Sequence, residues 1–508
     1  MRAEAADGRF ARVQPAADAR PRRDVFFALA VAFLALPNLI FLLGWLRPVW
    51  GIPAALIVTG AAGWLIRQNK PAEPARPLTP GIWAIIVLAA GAWTLLAGVG
   101  GVFPQTPDYT KHTLLLHDLA TMAWPVNYHY DLTSVHAGDY YLCYGLGYYL
   151  VPGLGGRILG FGAVPVLTVL WTFAGLVLVF QRLASLSMAP VKTLLTVMLF
   201  ATTGVVWWWF KRHGLPGLIR PDGLEARLLQ AGLCFNYHDS FTRFNYQPQH
   251  ALVGWLGAVF LFERLWIKGD PRGVVLLWAA CLLWSPLTCL GLLLIPLAAI
   301  RRVRWQDYFE PVNLLGGGVL IVIMGLYFTG HVALADAGFI WKFAGRWEWP
   351  VFYLLFLLLT MSPLLFMALI DWKYRVLGEW RPLFYTITAV LVLMPLYKFG
   401  FANDLRFQAG SPGVFILALC ADRMLRSGQF SWKKPLFQCL VVSLLLGAVY
   451  PVTRPWINLR GPAVDYSYAH IVETTGAHNL SEMRDVVFDA APQYLGRNDS
   501  VAARWLLR

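Results

Sequence analysis

Charge is what this sequence has least of. Asp, Glu, Lys and Arg make up 14% of its 508 residues, where a soluble domain carries roughly 25%. With 58% hydrophobic residues and a mean hydropathy of +0.55, this excludes an ordinary water-soluble globule. The expected fold class is an all-α polytopic integral membrane protein. Cysteine motifs are missing as well. Cys143, Cys234, Cys281, Cys289, Cys420 and Cys439 form no C-x-x-C pair and no metal-ligand spacing. Most lie in apolar runs and read as small hydrophobes. Cys143 and Cys234 could meet outside the membrane, and nothing in the sequence argues for it.

What is abundant fits the same class. The 45 Gly and 32 Pro are better tolerated in membrane helices than in soluble ones. Several of the 23 Trp cluster at the ends of apolar runs (Trp207, Trp208, Trp209; Trp341, Trp347, Trp349), as interfacial belts require. The net charge of +14 reads as basic cytoplasmic loops facing anionic lipid, with no call for nucleic acid.

The length of a membrane crossing, about 20 residues, divides the chain. Residues 1–24 are polar and basic and are expected to be a disordered cytoplasmic tail. The run 25–46 is too long for a signal-peptide core and reads as an uncleaved anchor. Further spans are expected near 49–66, 82–103, 163–181, 191–210, 249–267, 312–329, 350–371, 382–399, 411–426 and 434–450. The stretch 140–159 is broken by glycines and is expected to lie along the interface. The run 273–300 is too long for one span and holds Pro286 and Pro296, so two short helices turning near Ser285 are expected. The total is roughly thirteen spans. They form a module over 25–450 with outer loops at about 104–162, 211–248, 330–349 and 400–411. An extracytoplasmic tail, 451–508, completes the chain. This arrangement puts basic loops inside, as the positive-inside rule asks. All ten His fall outside.

Polar chemistry then collects on one face. The stretch 104–139 holds four Asp, four His and one Lys, with no Glu or Arg. Ionisable residues against a membrane are costly and usually functional. Asp108 stands just past a span. A carboxylate there either takes a proton from an acceptor hydroxyl or caps the helix that follows. Lys111 and His112 share its helical turn and converge with it on one ligand or one divalent cation. His117 and Asp118 lie further along, as a polar face at the interface. The second loop supplies Arg220, Asp222, Arg243 and His250. The last supplies Lys398, Asn403, Asp404 and Arg406, whose cations suit a phosphate. The plainer alternative for each cation is snorkelling at a helix end.

This layout resembles the GT-C superfamily of membrane glycosyltransferases. The resemblance rests on Asp108 in PDYTKH, on the interfacial segment YYLCYGLGYYLVPGLGGRILG, and on the charged second loop around Arg220 and Asp222. The paired short spans WAACLLWSPLTCLGLLLIPLAAIRR and the late loop FANDLRFQAGSP also match, so it covers most of residues 82–450. Two extra spans precede the Asp108 loop. Tyr109 stands where some members carry a second carboxylate, which weighs against a metal. The resemblance implies an inverting glycosyltransferase of the cell (inner) membrane. Its donor is a polyprenyl-phosphate-linked sugar, and its acceptor a glycan, lipid or protein on the extracytoplasmic face. Asp108 is then the catalytic base. Arg220, Arg243, Lys398 and Arg406 hold the phosphate, and Lys111, His112, Asp222, His250, Asn403 and Asp404 complete the substrate site.

Three other readings fit a polytopic chain. A transporter or lipid flippase places ionisable groups at the bilayer midplane and shows repeated halves; few charges lie deep in the apolar runs here, and no internal repeat is evident. A polysaccharide polymerase or ligase shares the architecture and differs in donor. A non-catalytic assembly subunit would tolerate alanine at Asp108 and Arg406.

Overall fold

The computed structural model describes residues 24–69, 77–130, 138–202, 235, 237–332, 337–343, 348–400, 403–462, 466–483 and 491–508. Helix α1 (Val25–Trp45) begins where the Asp24 carboxylate accepts the Phe27 N–H at 3.0 Å, a side-chain cap that satisfies an otherwise orphan donor. The helix is apolar all round, as a membrane span must be. Its one buried amide, Asn38, donates to Leu34 and, 242 residues away, to Ala280. Helix α2 (Pro48–Gln68) packs along it, started by a proline whose φ is already helical.

Helix α3 (Pro80–Leu96) ends in a turn at Gly98, Gly100 and Gly101, all at positive φ, where only glycine is unstrained. The turn delivers the chain to α4 (Tyr109–Thr121), followed by β1 (Asn127–Tyr130), β2 (Gly138–Leu142) and α5 (Leu150–Leu159). Helices α6 (Val164–Leu186), α7 (Pro190–Leu199), α8 (Ser240–Tyr246) and α9 (Pro248–Phe262) come next, the last prolonged by a π turn, Glu263–Ile267. Every residue of α9 is buried. It is the central helix, enclosed by α6, α8 and the later helices α11 and α17.

The run expected to hold two short helices does so. Helix α10 (Val274–Ala280) stops before Ser285, which caps α11 (Pro286–Leu292), and α12 (Leu294–Ala298) follows. Then come α13 (Gly318–Thr329), β3 (Ala337–Phe339), α14 (Glu348–Leu355), α15 (Ser362–Tyr374), α16 (Arg381–Leu393), β4 (Tyr397–Phe399) and α17 (Asp404–Leu425). Helices α18 (Pro435–Arg460) and α19 (Tyr468–Thr475) and strand β5 (Leu495–Arg497) close the order.

Among the described residues six helices are long and apolar enough to cross a membrane, and seven if the bent pair around Met361 counts as one. Several expected spans are shorter helices: α3, α7 and the pair α11–α12 fall between 10 and 17 residues. The chain is also not purely helical. The expected interfacial segment 140–159 begins as a strand, and β1, β2 and β5 form an antiparallel sheet with Tyr141 opposite both Asn127 and Gly496. Strands β3 and β4 pair with Gly338 opposite Lys398. The boundary expected at 450 falls inside α18. Beyond it the tail is joined to the body through β5, so it is no separate unit.

Candidate functional site

The site is built from helix starts. Asp108 precedes α4, Pro248 opens α9 and Asp404 opens α17. Unpaired N–H groups and the positive end of the dipole favour anions at such places. Asp108 does not cap α4 with its side chain; it pairs with Lys111 at 3.3 Å. Its carboxylate is 31% exposed. Burial would raise the Asp108 carboxyl, but the Lys111 charge and hydrogen bonds from Lys111 and Gln247 outweigh it and hold it below its ordinary 3.8. Burial would lower Lys111, and the Asp108 carboxylate, with weaker help from Tyr144 and Asp404, holds it above 10.5 instead. The pair is therefore ionised at neutral pH.

Asp404 faces the same charges: Lys111, Arg243, Asp108 and Arg406 all act on it. Here burial dominates, and the carboxyl is pushed above 3.8. Two carboxylates in one site thus have affinities for protons driven apart, the arrangement that separates acid from base roles.

Arg243, on α8, is 4% exposed, and its Nε and Nη2 have no hydrogen-bond partner among the described residues. Burial draws its guanidinium down to about 10 against the pull of Asp404 and Asp108, which leaves it charged. His250, in the first turn of α9, is 3% exposed, and neither ring nitrogen is partnered among the described residues. Its charged neighbours are Arg243 and Lys111. Buried polar groups left open in this way cost roughly 1–3 kcal/mol each and call for an explanation.

His112 is different. Its Nε2 lies 3.2 Å from the Tyr246 carbonyl, which can only accept, so the proton sits on Nε2. Nδ1 then accepts from the Tyr149 hydroxyl at 2.6 Å. Burial, helped by Lys111, lowers the ring to about 3. His112 is thereby fully used in tying α4 to α5 and α8, and the expected Asp108–His112 cation site does not fit it. Among the described residues no group of three or more His, Cys, Asp or Glu is arranged to hold a metal.

The remaining expected residues fall into two sets. Arg406 is fully buried beside Asp404, its guanidinium 3.7 Å from the Phe407 ring centre. It belongs to the cluster, since its charge acts on Arg243 and Asp404. Lys398 lies on β4 against Phe343, and Asn403 shapes the approach to α17 in a left-handed conformation, accepting the Phe399 N–H. Arg220 and Asp222 lie outside the described residues.

The site also holds residues beyond the expected substrate set, His238 and Gln247 of the second polar loop among them. Tyr144 receives a hydrogen bond from Gln249 and packs edge-on to Tyr494 at 5.0 Å. His238 stacks on Phe407, and burial together with Arg243 and Arg406 lowers it to about 3. Gln247 bonds Asp108 through its amide nitrogen and leaves Oε1 open. Asp118, expected as an interfacial polar face, is instead fully buried. It accepts from Tyr128 at 2.7 Å and from the Leu480 N–H at 2.9 Å, because the tail folds back over α4.

Comparison with protein-family models, with characterised proteins and with solved structures finds no match for this chain.

Proposed function

We propose that this membrane protein is a glycosyltransferase that moves a sugar from a polyprenyl-phosphate donor to an acceptor hydroxyl. The acceptor is a glycan, lipid or protein on the extracytoplasmic face of the cell membrane. The observation that carries the reading is the buried Arg243, with two open donors, beside an ionised Asp108. Arg243, Lys111 and Arg406 with three helix starts suit a phosphate and the charge it gains on leaving. The open Gln247 oxygen and the open His250 ring need a partner that also donates, and sugar hydroxyls do.

In the step, the acceptor oxygen attacks the anomeric carbon and the bond to the phosphate oxygen breaks. The bonding pair leaves with the phosphate, and the hydroxyl proton passes to Asp108. Attack from the face opposite the phosphate inverts that carbon through an oxocarbenium-like transition state. No step uses a metal.

The test is an extraction of polyprenyl-phosphate sugars from cells carrying wild-type protein, no protein, or Asp108→Asn. A lipid-linked sugar that accumulates in the last two strains, measured by mass spectrometry, supports transfer and names the sugar. Unchanged pools in both would end this reading. The break between α10 and α11 favours a second reading, a transporter, since discontinuous helices line transport sites. Turnover by the purified protein in detergent, where no gradient exists, would exclude it.

A further inference from the structure

A groove of about 740 Å³ lies between α1, α2 and α6. Its end at Phe26 and Ile66 lies on the Arg182–Glu263 side. Along α1 it runs from Phe26 to Leu39, and on α2 it reaches Ile66. Lys268 sits over the ring of the neighbouring Phe27, and Asp24, one turn before, pairs with Arg182. No charged residue lines it; Ala32, Ala35, Ala62, Gly63 and Ala174 give it a smooth wall, and Trp171 stacks on Phe33 at 3.8 Å.

Chemistry selects the occupant. From Phe26 to Leu39 the groove follows about 20 Å of α1. The wall offers a polar ligand only the Thr59 hydroxyl and the Trp171 indole N–H, so such a ligand is poorly satisfied there. Hydrocarbon chains fit, and three helices able to cross a bilayer place them where such chains are found. At the open end Ile66 is followed by the exposed Arg67, in the last turn of α2. A basic side chain at that depth attracts an anionic headgroup.

We propose that this groove seats the acyl chains of an anionic phospholipid from the leaflet on the Arg182–Glu263 side, with its phosphate at Arg67. The site is distinct from the polar cluster and does not depend on the glycosyltransferase reading.

The test uses the full chain in mild detergent, loaded with phosphatidylglycerol or phosphatidylcholine and read by native mass spectrometry. Gly63 lines the groove and Gly60 does not, and a Cβ at either meets open space. Gly63→Phe fills the groove, and Gly60→Phe is its matched control on the same helix. Wild type and Gly60→Phe are expected to retain one phosphatidylglycerol, and Gly63→Phe to lose it at least tenfold. Arg67→Gln is expected to keep the lipid but lose about fivefold of the preference for phosphatidylglycerol, the ratio for roughly 1 kcal/mol per basic residue. Ala32→Phe, from the opposite wall, repeats the test should Gly63→Phe not fold. Lipid retention equal to wild type in both filled variants would overturn the proposal. So would a lipid-free wild-type dimer that the filled variants turn into monomers.

Discussion

Helix α9 carries a polar group at each end, and the two ends follow opposite rules. Glu263 is 0% exposed, yet Arg182 reaches it through two nitrogens at 2.5 and 2.6 Å and Lys268 at 2.9 Å. Asp24 takes Arg182 from the other side, while Asn69 accepts from both Lys268 and Arg264. His250, thirteen residues and about 20 Å away along the helix, has neither ring nitrogen partnered among the described residues. Arg243 beside it has two open donors. At the Glu263 end the carboxylates all meet cations, and Arg264 Nε and Asn69 Nδ2 stay open among the described residues; at the other end, equally buried, a whole imidazole and two guanidinium nitrogens of Arg243 are open. The proposed function places the site at the end with the larger departure from polar satisfaction.

The comparison can be broken first at the open end. Asp108→Asn is expected to cost 10²–10⁴-fold in transfer rate, the usual worth of a base, while the melting temperature in detergent stays close to wild type. Arg243→Met is expected to lose transfer as well, with stability unchanged or raised, because it removes a buried charge lacking partners. If Arg243→Met unfolds the protein, its donors were never open.

At the closed end, Arg182→Met leaves Glu263 short of its main partner. The expected loss is about 3–5 kcal/mol, seen as a lower thermal midpoint and a lower yield of folded protein. A midpoint equal to wild type would show that the closed cluster holds nothing.

The pH profile sharpens the assignment within the open end. The proposed mechanism requires ionised Asp108, whose folded pKa lies below 3.8. The acid limb of the rate should therefore begin only beneath that value, with the rate flat from there to neutrality. A limb above 3.8 would move the base to Asp404, whose carboxyl is raised. His112 and His238 add a stability effect of defined sign. Both are lowered from 6.5 to about 3, so their contribution is complete above 6.5 and is lost as pH falls toward 3. His238→Phe should flatten the midpoint's dependence on pH across that window.

The smallest effect concerns the tail. Asp118→Ala strands the Leu480 N–H and the Tyr128 hydroxyl, at a cost of about 1–3 kcal/mol. Proteolysis should then cut near residue 480 sooner than in wild type. An unchanged cleavage rate would mean that the tail is held elsewhere.

Much of this was legible in the sequence, for physical reasons. Apolar length announced α1, α2, α6, α9 and α18, and Pro286 with Ser285 announced the break before α11. Asp108, Lys111, Arg243, His250, Asp404 and Arg406 stood out because ionisable groups are rare at the ends of apolar runs, and all six belong to one electrostatic cluster. Tyr144 and Tyr149 did not stand out, since tyrosine counts as apolar in a hydropathy reading and as polar only once its hydroxyl has a partner. Asp118 was misread because its partner is 362 residues away, a distance no local pattern spans. The strand in 138–142 was hidden for the same reason, since half of its pairing comes from β5.

That pairing sets a timetable. Tyr141 waits for Gly496, and at about 5–20 residues per second a ribosome needs roughly 20–70 s to travel between them. During that interval the apolar helices already have the length to settle in lipid. Tyr144 still lacks the ring of Tyr494, and Asp118 still lacks the Leu480 N–H. The polar cluster therefore acquires one of its walls only after most of the chain has been made. A newborn chain can be anchored in its membrane well before its polar cluster is complete.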